Sequence, residues 1–222
     1  MSALVITIDG PAGAGKTTVS KRLAEKLGYR YVDTGALYRG VAYEALQAGI
    51  DATDDAALET LCAGLDLRLV LTEKGLRLLS GGRDISDLIR TPAMSMMASA
   101  VSARPVVRAF LLELQRKLGR EKGVVFEGRD MGTVVFPEAE VKFYLDASPE
   151  VRAYRRFLEL KDSGTVTLAE VEEDIRKRDA NDSSRALAPL KPAEDAVIID
   201  ATPIEVDQVI EAMIARIKSV NS

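Results

Sequence analysis

The sequence predicts an α/β fold: a five-stranded parallel sheet flanked by helices, carrying a small antiparallel β insert. Three observations predict it. Short apolar runs recur along the chain, segments beside them carry apolar residues every three or four positions, and one leucine-rich stretch has period two. The runs are "LVITI" (4–8), "YRYV" (29–32), "VVF" (124–126), "VKFYL" (141–145) and "AVIID" (196–200). Several are continuously apolar, as strands are when both faces of a parallel sheet are covered. In "TTVSKRLAEKLG", Val19, Leu23 and Leu27 repeat every four residues and Gly28 stands where a C-terminal cap belongs. "PVVRAFLLELQRKLG" places Val107, Leu111, Leu114 and Leu118 on one helical face, and "PIEVDQVIEAMIARI" does so with Val206, Ile210, Met213 and Ile217. Between residues 65 and 80, Leu65, Leu67, Leu69 and Leu71 fall on one face while Asp66 and Arg68 fall on the other. That alternation around "TEKG" predicts a half-buried hairpin, with "GGRDIS" leading into a third strand and the β insert spanning about residues 62–90. The looser "LKDSGTVTL" (160–168) has the composition of a mobile connection.

With 222 residues, 47% of them apolar and 29% charged, the chain has the composition of an ordinary globular domain. No run approaches the roughly 18 apolar residues of a membrane span. No basic stretch followed by a long apolar one opens the chain, so no secretory signal is expected. The single cysteine, Cys62, excludes an internal disulfide and a four-cysteine metal site, and is expected as a small buried hydrophobe in a reducing cytoplasm. Histidine is absent, which excludes Ser-His-Asp and Cys-His catalysis, histidine metal sites and histidine acid–base chemistry. The net charge of −4, from 30 basic and 34 acidic residues, disfavours duplex nucleic acid, whose binding needs clustered neutralisation of phosphates.

The segment "GPAGAGKTT" follows the first strand and opens the first helix. Gly10, Gly15, Lys16 and Thr17 satisfy G-x-x-x-x-G-K-[ST], so the core is that of a P-loop NTPase. Glycine lets backbone N–H groups surround a phosphate, and the helix dipole adds positive potential at the same point. The residues expected to hold a nucleoside triphosphate, which the resemblance named below makes ATP, are Gly10, Pro11, Ala12, Gly13, Ala14, Gly15, Lys16, Thr17 and Thr18. Lys16 would reach the β and γ phosphates, and Thr17 would set its hydroxyl on Mg²⁺.

Two further clusters sit at predicted strand ends, where open α/β sheets present ligands. One is Asp33, Thr34, Tyr38 and Arg39 in "YVDTGALYRG"; a helix opening at Thr34, together with Arg39, would meet a second anion. The other is Glu127, Gly128, Arg129 and Asp130 in "VVFEGRDMG", with a structural ion pair as the plainer reading of Arg129. A third cluster is arginine-dense: Arg152, Arg155 and Arg156 in "EVRAYRRF", then Arg176, Arg178, Asp182 and Arg185 in "IRKRDANDSSR". Two readings stand for it: a solvated helix face, or guanidiniums converging on transferring phosphates.

In this order, "ITIDGPAGAGKTT", "DTGALYR", "EGRDMGTVVFPEA", "KFYLDAS" and "RDANDSSR" resemble the bacterial cytidylate kinases over nearly the whole chain. The resemblance implies transfer of phosphate from ATP, with Mg²⁺, to cytidine monophosphate (CMP) and deoxycytidine monophosphate (dCMP). It implies a single kinase domain with a core of residues 1–35 and 105–222, a monophosphate-binding insert at about 36–104 and a short closing lid at about 152–180. Thr34, Arg39 and Arg129 would hold the acceptor phosphate, with Arg185 nearby and Asp33 and Tyr38 among the substrate-binding residues. Ser99, Arg108 and Asp130 would read the cytosine edge, and Arg178 with Asp182 would hold the sugar. Arg152 and Arg156 would meet ATP phosphates from the lid, joining Lys16, Arg129 and Arg185 as catalytic groups. A cytoplasmic monomer with no nucleic-acid or membrane partner is expected. No role follows for Glu127.

A phosphate acceptor needs no general base, because the second pKa of a phosphomonoester lies near about 6. Three other readings compete: a kinase of uridine or adenosine monophosphate, a small-molecule alcohol kinase using Asp33 or Asp130 as base, and a GTPase-type switch. The last needs an "NKxD" segment, which the sequence lacks.

Overall fold

A computed structural model of the protein describes residues 3–73, 75–160 and 166–220. In chain order the first elements are β1 (Val5–Asp9), α1 (Lys16–Leu27), β2 (Arg30–Asp33), α2 (Thr34–Gln47) and α3 (Asp55–Gly64). The hairpin β3 (Leu67–Thr72) and β4 (Gly75–Ser80) and the short β5 (Arg83–Asp84) follow, then α4 (Pro92–Val101) and α5 (Pro105–Gly119). The remainder comprises β6 (Val124–Gly128), a π-helical turn at Met131–Val135, β7 (Val141–Asp146), α6 (Pro149–Leu160), α7 (Leu168–Ser184), β8 (Val197–Asp200) and α8 (Val206–Val220). The connection expected at 160–168 falls mostly on 161–165, outside the described residues. Among the described residues no helix is long and apolar enough to cross a membrane.

The chain divides into two compact units, Met1–Tyr31 with Glu121–Ser222, and Val32–Arg120. All five expected strands join one sheet in the order β2-β6-β1-β7-β8. β1 runs parallel to both β6 and β7, and β7 runs parallel to β8. Every residue of β1 and β6 is buried, because helices cover both faces, which is why their sequences show no alternation. Ile6, Ile8, Val125, Phe143 and Leu145 pack there with Leu23 of α1 and Ile210 and Met213 of α8. From β1 the chain first builds one side of the sheet, with β2 and β6, and then crosses to build the other, with β7 and β8. The carboxyl end of β1 is therefore a topological switch point, where such sheets leave a crevice.

The second unit holds the antiparallel sheet β3-β4-β5 within a helical setting. The period-two reading is right about the hairpin and wrong about how far its face is buried. Leu67 and Leu78 are buried, Leu69 is half-buried, and Leu71 is 77% exposed. Only the base of the hairpin meets α2, where a methyl on Gly40 would stand 2.7 Å from Leu78. The stretch of residues 62–90 is also not a purely β insert, for it begins inside α3 and ends before α4. The compact unit is wider than residues 36–104. Leu37 and Val41 of α2 and Val107 and Leu111 of α5 share one core with Leu58 and Leu78. Cys62 is buried in α3, and burial pushes its thiol pKa up.

Candidate active site

The loop between β1 and α1 is folded against its neighbours so closely that two glycines are obligatory. A methyl on Gly10 (φ +148) would lie 1.9 Å from the carbonyl oxygen of Leu145, and one on Gly13 (φ +76) 2.6 Å from that of Arg152. Both residues also need a backbone conformation that side chains disfavour. Lys16, buried, folds back so that Nζ donates to the Pro11 carbonyl at 2.6 Å. Burial pushes its ammonium pKa well below the usual lysine range, Arg129 and Arg178 push the same way, and Glu127 and Asp9 oppose them. A phosphate placed in the loop would add negative charge beside this ammonium and raise its pKa again.

Thr17 Oγ1 donates to Oε1 of the buried Glu127 at 2.8 Å. This bond links the start of α1 to the carboxyl end of β6. Beside it, Asp9 at the end of β1 accepts from the N–H groups of Met131 (2.9 Å) and Gly132 (2.7 Å), which fixes the π-helical turn. Burial raises the Asp9 pKa from 3.8 to about 6, against the lowering effect of those two N–H groups. Between pH 4 and 6 the folded chain thus keeps a proton that the unfolded chain releases. The stabilisation is full below about pH 4 and is lost as pH rises through 6; two pKa units correspond to about 3 kcal/mol. Asp9→Asn is expected to flatten that part of the stability–pH profile in denaturant titrations. Parallel profiles for variant and unmodified chain from pH 4 to 6 would exclude the assignment.

The strand end after β6 and the last turns of α7 meet at one carboxylate. Asp182, 2% exposed, accepts from Arg129 Nε at 3.0 Å, pairs with Arg185, and stands 4.0 Å from Arg178 Nε. Burial works against its ionisation, yet Arg129, Arg185 and Arg178 outweigh it and hold the carboxyl pKa below its usual value. The structure thus brings together the arginines of "EGRD" and "RDANDSSR" around one buried carboxylate.

The remaining arginines separate. Arg176 is a solvated helix charge paired with Glu173. Arg155 NH2 donates to the Ala201 carbonyl at 2.8 Å. Arg152 and Arg156 share a face of α6 but not their contacts. Arg156 pairs with Glu159 at 2.7 Å in a half-exposed position. Arg152 is buried, donating to the carbonyls of Ala147 (2.9 Å) and Ala12 (3.0 Å) and to Asp179 (2.6 Å). Asp130 is buried beside this region, its carbonyl accepting from Val134 and Val135.

In the second unit, Asp33 caps α2 by accepting from Ala36 N–H at 3.1 Å, and its other oxygen takes Arg39 NH2 at 2.7 Å. Burial tends to raise the Asp33 pKa, but Arg39 more than offsets it and the carboxyl is held low. Thr34 is buried at the start of α2. Arg108 of α5 donates to the Ser102 carbonyl at 3.2 Å, and its guanidinium lies 5.9 Å from the centre of the Tyr38 ring. Ser102 Oγ donates in turn to the carbonyl of the buried Ser99, so Tyr38, Ser99 and Arg108 form one cluster. Sequence reasoning missed Asp9 and Asp179, and it left Glu127 without a partner. The one local sign was an acidic residue ending an apolar strand directly before Gly10.

A family model described as cytidylate kinase matches residues 6–219. The chain is 51% identical over 211 residues to a cytidylate kinase of Geobacter sulfurreducens, covering 95% of this chain and 91% of that protein. It is 51% identical over 212 residues to a cytidylate kinase of Syntrophotalea carbinolica, covering 95% and 90%. Among solved structures, a shikimate kinase from Acinetobacter baumannii in complex with shikimate superposes with a TM-score of 0.50 at 16% identity, over 98% of this chain and 94% of that one. At that identity the likeness is one of fold.

Proposed function

The chain belongs to the cytidylate kinase family, and on that premise we propose that it transfers the γ-phosphoryl group of ATP to CMP and dCMP. The observation that carries this reading is the gathering of Arg129, Arg178 and Arg185 on Asp182, in the same unit as the phosphate loop. A protein that only bound a nucleoside triphosphate would have no use for that second cationic centre. A reaction between two phosphate groups has one, because its main barrier is bringing two polyanions together.

The acceptor oxygen is largely deprotonated at neutral pH, its second pKa being about 6, so a chain without histidine lacks nothing it needs. Lys16 and the loop amides hold the donor phosphates. Arg129, with Arg185 nearby, holds the acceptor phosphate and neutralises charge on the transferring group, and Arg152 and Arg156 of α6 are assigned to the donor. From the second unit, Thr34 and Arg39, with Asp33 and Tyr38, are assigned to the acceptor phosphate, and Ser99 and Arg108 to its base. Asp130 is assigned to the base and Arg178 with Asp182 to the sugar. The Thr17 hydroxyl and Glu127 carboxylate, 2.8 Å apart beside the loop, are a hard-oxygen pair of the kind Mg²⁺ takes when phosphates complete its shell. Bound there, the ion would screen the donor's negative charge. We place the reaction in the cytoplasm and in a monomer, a setting that suits a single buried thiol.

The test is ADP production from ATP and Mg²⁺ with CMP, dCMP, UMP, AMP or shikimate as acceptor. The two cytidine nucleotides are expected to give the highest kcat/KM. A higher value for any other acceptor would overturn the base assignment.

A further inference from the structure

Arg152 backs the phosphate loop in two ways. Its own carbonyl is the surface against which Gly13 packs, and its guanidinium donates to the carbonyl of Ala12 in the loop at 3.0 Å and to that of Ala147 at 2.9 Å. A guanidinium this buried, facing only neutral carbonyls, would be strongly disfavoured without an anion. Asp179 of α7 supplies it, with Oδ2 at 2.6 Å. Three residues further along the same helix, Asp182 gathers Arg129 and Arg185. One stretch of α7 therefore presents two acidic residues, one supporting the loop and the other supporting the arginine centre.

We infer that Asp179 is a positioning residue for nucleotide binding: acting through Arg152, it holds the phosphate loop in the shape that receives the donor's phosphates. The inference rests on the loop being the donor site, as proposed above. Its consequence is a division of labour along α7. Weakening Asp179 acts on the donor nucleotide and leaves the acceptor nearly untouched. General loosening of α7 would instead impair both, since Asp182 lies on the same helix.

The side chain permits a clean test. Asp179 commits Oδ2 to Arg152, Oδ1 is buried with no hydrogen-bond partner among the described residues, and the residue lines a cavity of about 190 Å³ beside Glu150 and Glu172. An amide at this position keeps the shape, and the cavity has room for a water to serve its N–H groups. Asp179→Asn is expected to weaken binding of ATP with Mg²⁺, measured calorimetrically without acceptor, by roughly tenfold, the size of one charge-assisted hydrogen bond. KM for ATP should rise in step and KM for CMP should stay within about twofold of the unmodified chain. Arg152→Lys, which keeps the charge and loses the fork of donors, should weaken ATP binding similarly, and the double variant should bind no more weakly than Arg152→Lys alone. Asp179→Glu, which keeps the anion, should recover most of the affinity. Unchanged ATP binding in Asp179→Asn, additive losses in the double variant, equal rises in both KM values, or Asp179→Glu as weak as Asp179→Asn would each overturn the inference. A chain that binds ATP but does not phosphorylate CMP would refute the kinase assignment while the Asp179 result is still read from ATP binding.

Discussion

Lys16→Met is expected to cut kcat by roughly a hundredfold or more, the scale of removing one preorganised electrostatic contact to a transferring phosphoryl group. The same variant should unfold at no lower temperature than the unmodified chain. Both halves follow from where the side chain sits. Its ammonium is buried near Arg129 and Arg178, donates to the Pro11 carbonyl, and feels Glu127 and Asp9 as opposing charges. In the folded chain without nucleotide that charge is a liability, and methionine replaces it with a stem of similar volume and no desolvation cost. In the proposed transition state the balance reverses, because the negative charge spread over the transferring oxygens outweighs the unfavourable burial of the ammonium. The measurement pairs steady-state kcat with a thermal unfolding midpoint. A near-normal kcat would remove Lys16 from the mechanism. A large drop in the midpoint would instead make its bond to Pro11 a structural one.

The elements that sequence reasoning located are those whose signal is local. The runs around Ile6, Val125, Phe143 and Ile199 form strands because a covered sheet needs uninterrupted apolar residues, and the phosphate loop is written in nine consecutive letters. The helices α3 and α4 are short, and in α3 Leu58 and Cys62 are buried while Leu61 packs half-buried against the same core, so periodicity alone is too weak to show it. Their caps were legible in retrospect: Asp54 accepts from Ala57 N–H, and Thr91 from Met94 N–H just before a helix that opens with proline. The hairpin's alternation described which leucines share a face, but not how far a covering helix extends along it.

The side chains at the candidate site were harder for a different reason. Asp9 takes its chemistry from N–H groups 122 and 123 residues away, and Thr17 meets Glu127 across 110 residues. No window of sequence contains such a pair. Arg152 and Arg156 show the limit most directly. At a spacing of four on one helical face they read alike, yet one is bound to the phosphate loop at Ala12, 140 residues away, and the other pairs with Glu159. Spacing identifies a face of a helix; what that face meets is decided by the rest of the fold.

Arg129→Ala is the second change expected to act on turnover by about a hundredfold, and it can be set against Asp182→Ala to separate chemistry from support. Arg129 spends Nε on Asp182 and NH1 on the Gly128 carbonyl. Removing it leaves Asp182 with Arg185 and Arg178, so the buried carboxylate stays paired and the fold should hold. Removing Asp182 instead deprives three guanidiniums of their shared anion, and stability should suffer first. That loss has a pH signature. With its carboxyl pKa held below 3.8 in the folded chain, Asp182 contributes stability above that value and loses it as pH falls through the lower folded pKa. Asp182→Ala should therefore destabilise at neutral pH and converge on the unmodified chain in strong acid, while Arg129→Ala should differ little from it in midpoint at neutral pH. Arg129→Lys is expected to recover little activity, because an ammonium restores the charge without the planar fork that engages two oxygens at once. If Arg129→Lys turns over normally, charge alone suffices at this position; if Arg129→Ala unfolds as readily as Asp182→Ala, the arginine is part of the support and its place in the chemistry is lost.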